Sequence, residues 1–453
     1  MMDYSLTIRE DDFKTLWTAV FSSPGSEGAA YLLCGESRTT CEIRLLAREV
    51  IPVASAHYHA RRADFLSISS SSYVSIAKRA KNENLSIVFV HSHPGGFLEF
   101  SSQDDREEQK LQEFLHSRVP GRLHGALVLT ENGVVGRAYD GSYKPMRKVR
   151  IVGSRFSWHD RAASGVPNLA CFDRQIRAFG QDVQVSLHSL HVGVVGAGGT
   201  GSALIEQLAR LGVGTLSIFD GDILEASNVN RVYGAGVSDA GQHKVSIAKR
   251  NVERIGLGTR VRDFSEPITN EAIARRLRDC DVIFGCTDKQ IPRSILIQIS
   301  LRYLIPVIDM GVVIASRDLF ITDVVGRVTT LLPGEACLFC RKRITPEGIR
   351  FESLSDSERA SLIQEGYARE LGMPNPAVIA FTSGIASFAV SELLHRMTGY
   401  MGDERKSSEV LCFFDQTKLH TNRLQPNQQC ICAQRRFWGL GDSQPFLDAV
   451  WVG

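Results

Sequence analysis

Three groups of residues in this chain have the types and spacing that chemistry needs. Gly196, Gly198 and Gly201 stand at the spacing G-x-G-x-x-G directly after the apolar run 192–195, and Asp220 closes a second apolar run beyond them. Glycines there let the backbone approach a phosphate, a helix N-terminus behind them favours its charge, and the carboxylate can hold a ribose hydroxyl. Asn228, Arg231 and Lys244 follow the acid. A cationic cluster beyond the glycine turn suits the β- and γ-phosphates of a triphosphate, which NAD lacks. Asp288 follows the apolar run of "VIFGCTDKQ" and is a candidate Mg²⁺ carboxylate.

The second group is His91 and His93 in "SIVFVHSHP", with Asp104 downstream. Side chains at i and i+2 of a strand share a face, so both imidazoles can reach one ion. Two histidines and one aspartate with an open fourth position form a catalytic rather than a structural zinc set. Asp105 is the immediate rival of Asp104, and the rest of "DDREE" reads as a solvated helix face. His57 and His59 share the histidine spacing, but no carboxylate motif follows them. The third group is Cys337/Cys340 and Cys430/Cys432. Four thiolates leave no open position and would make a structural zinc site.

These residues need particular elements behind them. The run 192–195 reads as a buried parallel strand, and Leu204, Ile205, Leu208 and Leu211 give the helix after it one apolar face. Helices are expected at 11–21, 71–83, from about Ser101 onward, from Lys244 onward and over 375–397. The last is rich in small residues and is expected at a subunit interface. The stretch 316–334 alternates weakly and predicts antiparallel strands that extend the nucleotide sheet. Residues 153–168 are polar and aperiodic and read as a linker between a domain at 1–152 and another at 169–453.

With 453 residues, 43% apolar and 23% charged, the composition is that of a soluble globular protein of two or three domains. A formal net charge of +2 makes no electrostatic case for nucleic acid or membrane. No apolar run reaches the roughly 18 residues of a membrane span, and the charged opening "MMDYSLTIREDDFK" is unlike a signal peptide. Close cysteine pairs in such a chain point to a metal in a reducing, cytoplasmic protein.

Residues from about 170 to 432 resemble the ThiF/MoeB/HesA superfamily of adenylating enzymes. The carriers are the glycine turn, the pattern D-x-D-x(5)-N-x-x-R and the entry segment "FDRQIRAFGQ". The resemblance implies a Rossmann-like fold with a mixed sheet, ATP and Mg²⁺ as ligands, and a homodimer in which Arg174 reaches the partner subunit's ATP. It assigns Asp220 to ribose, Asn228, Arg231 and Lys244 to phosphates, and Asp288 to magnesium. That family pairs C-x-x-C with C-x-x-C, whereas the second pair here is one residue shorter. Its thioester-forming members carry a cysteine in a crossover loop, where this chain has Ala368 and no thiol from 341 to 411.

Residues from about 5 to 150 resemble the JAB/MPN, or JAMM, zinc metalloproteases through H-S-H-P-x(6)-S-x-x-D with Glu27 upstream. The resemblance implies an α/β protease domain with His91, His93 and Asp104 on a catalytic zinc, Glu27 as general base and Ser101 stabilising the oxyanion. Together the two resemblances imply a bifunctional enzyme of a bacterial ubiquitin-like pathway, such as an antiviral conjugation system. It would adenylate the C-terminal glycine of a ubiquitin-like protein, cleave bonds after that glycine, and pass the product to a conjugating-enzyme-like partner. Sulfur-carrier activation and a non-catalytic scaffold are the alternatives.

Overall fold

In the computed structural model, which describes residues 2–162, 165–317, 320–364, 376–403, 405 and 407–451, the chain forms two compact units. The first holds residues up to 162 with 302–304 and 436–446, and the second holds most of the remainder. Both are α/β.

The first unit is built on a nine-stranded sheet. Its centre runs Asp3–Arg9, Glu42–Pro52, Ala29–Arg38, Ser86–Ser92, His124–Thr130. Alternation along the strands sorts two cores. Ala30, Leu32, Val88 and Val90 pack with Leu16 and Val20 of the helix Glu10–Val20. Ala29, Tyr31, Ile87 and Phe89 face the other way, onto Ile76 and Ala80 of Ser70–Glu83 and Leu111 and Leu115 of Ser102–Arg118. His91 continues this second set by parity, which puts it under the helix that carries Asp104. Ser102–Arg118 has few apolar anchors. Burial of a leucine contributes roughly 1.5–3 kcal/mol, so polar ties also hold this helix, among them Gln112 Nε2 donating to Gly125 O at 2.8 Å.

Residues 153–168 are not linker throughout. Phe156–Asp160 is an edge strand antiparallel to Lys148–Val152, with Phe156 and Trp158 buried. Five residues of alternating burial are too short a signal to stand out in a polar stretch.

The second unit has an eight-stranded mixed sheet in the order Arg260–Phe264, Thr215–Phe219, His191–Val195, Val282–Gly285, Val307–Arg317, Phe320–Leu331, Glu409–Phe413, Lys418–Asn422. The first five strands are parallel and the rest antiparallel, as the alternation at 316–334 leads one to expect. The long helix Ile379–Thr398 uses its small residues within the chain. Thr382, Ile385, Ala386 and Ala389 are buried, and the helix packs on Gly199–Arg210 and on Val307–Arg317. Ala368 and its neighbours lie outside the described residues.

Candidate metal and nucleotide sites

The first site sits where the strand Ser86–Ser92 ends. His91 is 2% and His93 7% exposed. Their Nε2 atoms face each other at 3.1 Å. Asp104 closes the group, with Oδ1 at 3.2 Å from His91 Nε2 and Oδ2 at 3.4 Å from His93 Nε2. Asp104 is positioned by a capping box. Ser101 Oγ accepts from the Asp104 amide at 3.1 Å, and Asp104 Oδ2 accepts from the Ser101 amide at 2.6 Å. Ser101 therefore spends an acceptor on the helix end and keeps its O–H proton free to donate. Asp105 points elsewhere, to Arg137. His57 faces the hydroxyls of Ser69 and Ser71 at 3.1 Å.

Glu27 reaches the site through strand pairing. Ala29 lies opposite His91 in the antiparallel ladder, so Glu27, two residues earlier, falls beside His93, with Oε1 3.9 Å from Nε2. Burial, against the pull of His91 and His93, lifts the Glu27 carboxyl to about 7. Burial also works against charge on His91, but Asp104 and Glu108 outweigh it and lift the imidazole to about 10. Burial opposes the charge on Asp104 as well, and the two histidines still hold it well below the carboxylate range. Two ring nitrogens and a carboxylate, all within 4.8 Å of one another, form a donor set that fits a divalent ion with a position left open. A cavity of about 150 Å³ adjoins them, with Glu27, Asp64, Leu66, Tyr73 and Phe89 on its walls.

Sequence reasoning missed Glu108. It assigned the acidic run after Asp104 to solvent, yet Glu108 is 3% exposed. It sits four residues after Asp104, one helical turn, and so on the same face.

The second site lies where strand order reverses, outside the C-terminal ends of His191–Val195 and Val282–Gly285. A cavity of about 310 Å³ opens there, lined by Gly196, Gly198, Asp220, Arg231, Lys244 and Asp288, among others. The turn depends on two of its glycines for different reasons. Gly196 has φ +97°, and a Cβ on Gly201 would stand 1.9 Å from Gly196 O. A Cβ on Gly198 would meet nothing within 4 Å. The space there belongs to the cavity.

Asp220 accepts amide protons on both oxygens, from Ala197 at 2.6 Å and Asp222 at 2.8 Å. Burial nevertheless raises its carboxyl above the ordinary value. Lys244 begins the helix Lys244–Ile255, and its Nζ lies 2.8 Å from Asp222 Oδ2. Arg231 donates to Ser227 O at 2.7 Å, and its stem covers Gly199. Asp222, Lys289 and Arg293 also line the cavity. None was singled out from sequence, though Asp222 is the second acid of D-x-D. Asn228 and Arg174 are not among the lining residues. Asn228 donates to Ser227 Oγ at 3.2 Å, and Arg174 is exposed on Asp173–Phe179. Cys286 borders the cavity, but burial, reinforced by Asp309 and Asp220, pushes its thiol up and away from the reactive thiolate.

The four cysteines converge despite the short second pair. Cys337 Sγ is 3.5 Å from Cys430 Sγ, Cys340 Sγ is 3.6 Å from Cys432 Sγ, and all four fall within 4.8 Å. Tetrahedral ligands about 2.3 Å from zinc stand roughly 3.8 Å apart, so the set fits a closed zinc site.

Among the described residues no helix is long and apolar enough to cross a membrane. Residues 172–433 match the ThiF family, and residues 10–138 match the prokaryotic homologs of the JAB domain. The chain is similar to the adenylyltransferase and sulfurtransferase MOCS3 of Bos taurus, 33% identical over 28% of this chain and 29% of that protein. It is similar to protein HesA of Leptolyngbya boryana, 29% identical over 37% of this chain and 58% of that one. It is also similar to the molybdopterin-synthase adenylyltransferase of Escherichia coli, 29% identical over 39% of this chain and 69% of that protein. The match thus spans less than two thirds of the first two.

Proposed function

We propose that this chain, which belongs to the ThiF family over residues 172–433, is an ATP-dependent adenylyltransferase joined to a metallopeptidase, both acting on the C-terminal glycine of a ubiquitin-like protein. The observation that carries the reading is the gathering of Gly196, Gly198, Asp220, Arg231, Lys244 and Asp288 around one cavity at the reversal of strand order. A dehydrogenase needs no such cations beyond the pyrophosphate.

In the nucleotide site, Asp220 would hold the ribose and the glycine turn would admit the phosphates. Lys244 would exchange Asp222 for the triphosphate, and Arg231 would neutralise charge as the glycine carboxylate attacks the α-phosphorus and pyrophosphate leaves. Mg²⁺ on Asp288 would share that charge. In the first unit, a zinc ion on His91, His93 and Asp104 would supply Lewis acidity and an acidified water. Glu27, lifted towards neutrality by burial, would take the proton from that water and pass it to the leaving amine. The Ser101 hydroxyl proton is available to a developing oxyanion. The ubiquitin-like substrate, a homodimer that uses Arg174 in trans, a conjugating-enzyme-like acceptor, a cytoplasmic setting and a place in antiviral defence belong to this reading.

The test separates the activities. Asp288→Ala should abolish ATP–pyrophosphate exchange driven by the ubiquitin-like protein and leave cleavage of its C-terminal extension intact, while His93→Ala should do the reverse. Loss of both activities in either folded variant would sink the two-site assignment. Sulfur-carrier activation is the second reading. The name of the bovine relative, an adenylyltransferase and sulfurtransferase, favours it, and neighbouring genes for sulfur metabolism would decide for it.

A further inference from the structure

We propose that Glu108 is a positioning residue of the metal site, fixing the ring of His91 through Nδ1 while Arg137 anchors its carboxylate. The inference rests on the reading that His91, His93 and Asp104 hold a divalent ion, and it extends that reading to residues that touch neither ion nor substrate.

A histidine that gives Nε2 to a metal must keep its proton on Nδ1, and the partner of Nδ1 sets both tautomer and orientation. His93 uses a backbone carbonyl, with Nδ1 2.8 Å from Phe97 O. His91 is different. Its Nδ1 lies 3.2 Å from Glu108 Oε1. Both atoms are buried, and neither has a hydrogen-bond partner elsewhere among the described residues. A full carboxylate behind an imidazole makes it a more basic ligand than a carbonyl does.

A carboxylate at 3% exposure needs its own counterion. Arg137 supplies two N–H groups to Glu108 Oε2, from Nη2 at 2.7 Å and Nε at 3.1 Å. The rings of Phe100 and Tyr143 each lie 3.9 Å from the guanidinium carbon, and Asp105 takes the remaining arm. The guanidinium is thus fixed on every side, and the carboxylate it holds can fix the imidazole.

The experiment measures zinc retention by the full chain against a graded chelator, with His93→Ala defining which zinc belongs to this site rather than to the cysteines. Glu108→Gln keeps the shape and removes the charge. We expect it to lower zinc affinity at the histidine site by about 10–100-fold and to leave the cysteine-bound zinc unchanged; because the buried Arg137 loses its counterion, the thermal midpoint falls as well, and the affinity is the deciding readout. A purely structural role would move the midpoint and not the affinity. Arg137→Lys, which loses the fork and the stacking, should weaken zinc in the same direction. Unchanged affinity in Glu108→Gln, with the zinc still lost in His93→Ala, would overturn the role of Glu108 alone. No loss of zinc in His93→Ala would overturn the metal site itself, and the role of Glu108 with it.

Discussion

The carboxylate of Asp220 accepts the amide proton of Ala197 at 2.6 Å, tying the end of one parallel strand into the glycine turn that follows its neighbour. The second oxygen accepts from Asp222 at 2.8 Å. Both oxygens are acceptors, so Asp220→Asn should leave one amide facing an NH₂ group. An unsatisfied buried donor costs about 1–3 kcal/mol. The variant should unfold earlier and bind ATP more weakly, which denaturant melts and calorimetry would report. Wild-type behaviour in both would remove Asp220 from the nucleotide site.

The glycines of the turn should fail differently. In Gly201→Ala the new Cβ would stand 1.9 Å from Gly196 O, a backbone clash that must displace the helix, and overpacking of this kind costs about 1–3 kcal/mol or more. In Gly198→Ala the Cβ meets nothing within 4 Å. Stability should hold, while ATP affinity falls about tenfold, or roughly 1.4 kcal/mol, because the methyl stands where a phosphate would approach. Equal melting temperatures with equal ATP affinity in Gly198→Ala would place the phosphates elsewhere.

Among the described residues no thiol near the nucleotide cavity is prepared to be a nucleophile. Cys286 is held as the thiol by burial, and Cys337, Cys340, Cys430 and Cys432 are gathered on one another. With ATP, Mg²⁺ and a ubiquitin-like substrate, a non-reducing gel should show no thiol-sensitive band at the combined mass. Such a band, abolished in Cys286→Ser, would contradict this.

Removing a thiolate from the cysteine cluster should cost more than an ordinary core change. Cys430→Ala is expected to lower bound zinc by one equivalent and to destabilise the second unit by about 4 kcal/mol or more, as loss of a structural metal does. Metal analysis beside thermal melts checks both. Full zinc content in the variant would mean that the cluster is only packing.

His124 makes the first unit sensitive to acid. Burial holds its imidazole down to about 4, and its Nδ1 accepts the Ile87 amide at 3.2 Å, so protonation there would set donor against donor. The unfolded imidazole titrates near about 6.5. Between those values the unfolded chain binds the extra proton, so stability is full above about 6.5 and falls as pH drops towards 4. The loss is on the order of 3 kcal/mol. Urea melts at pH 7 and pH 5 should differ by less in His124→Asn than in the natural chain.

Much of the two sites was written in local order. The spacing of Gly196, Gly198, Gly201 and Asp220, and the parity of His91 and His93, follow from strand and helix periods that a single segment carries with it. The choice of Asp104 over Asp105 follows from the S-x-x-D count, because a capping box needs the acid three residues after the serine. What depends on contacts between distant segments was not legible. Glu108 reads as solvated until Arg137, on the strand Gly133–Tyr139, arrives 2.7 Å from this helical residue. The short pair Cys430/Cys432 reads as a mismatch until chain folding sets it against Cys337 and Cys340. Phe156–Asp160 reads as linker until Lys148–Val152 offers it an edge. In each case the deciding quantity is burial or a partner's position. Those arise only when segments far apart in the chain meet, whereas periodicity and motif spacing need nothing beyond their own stretch of backbone.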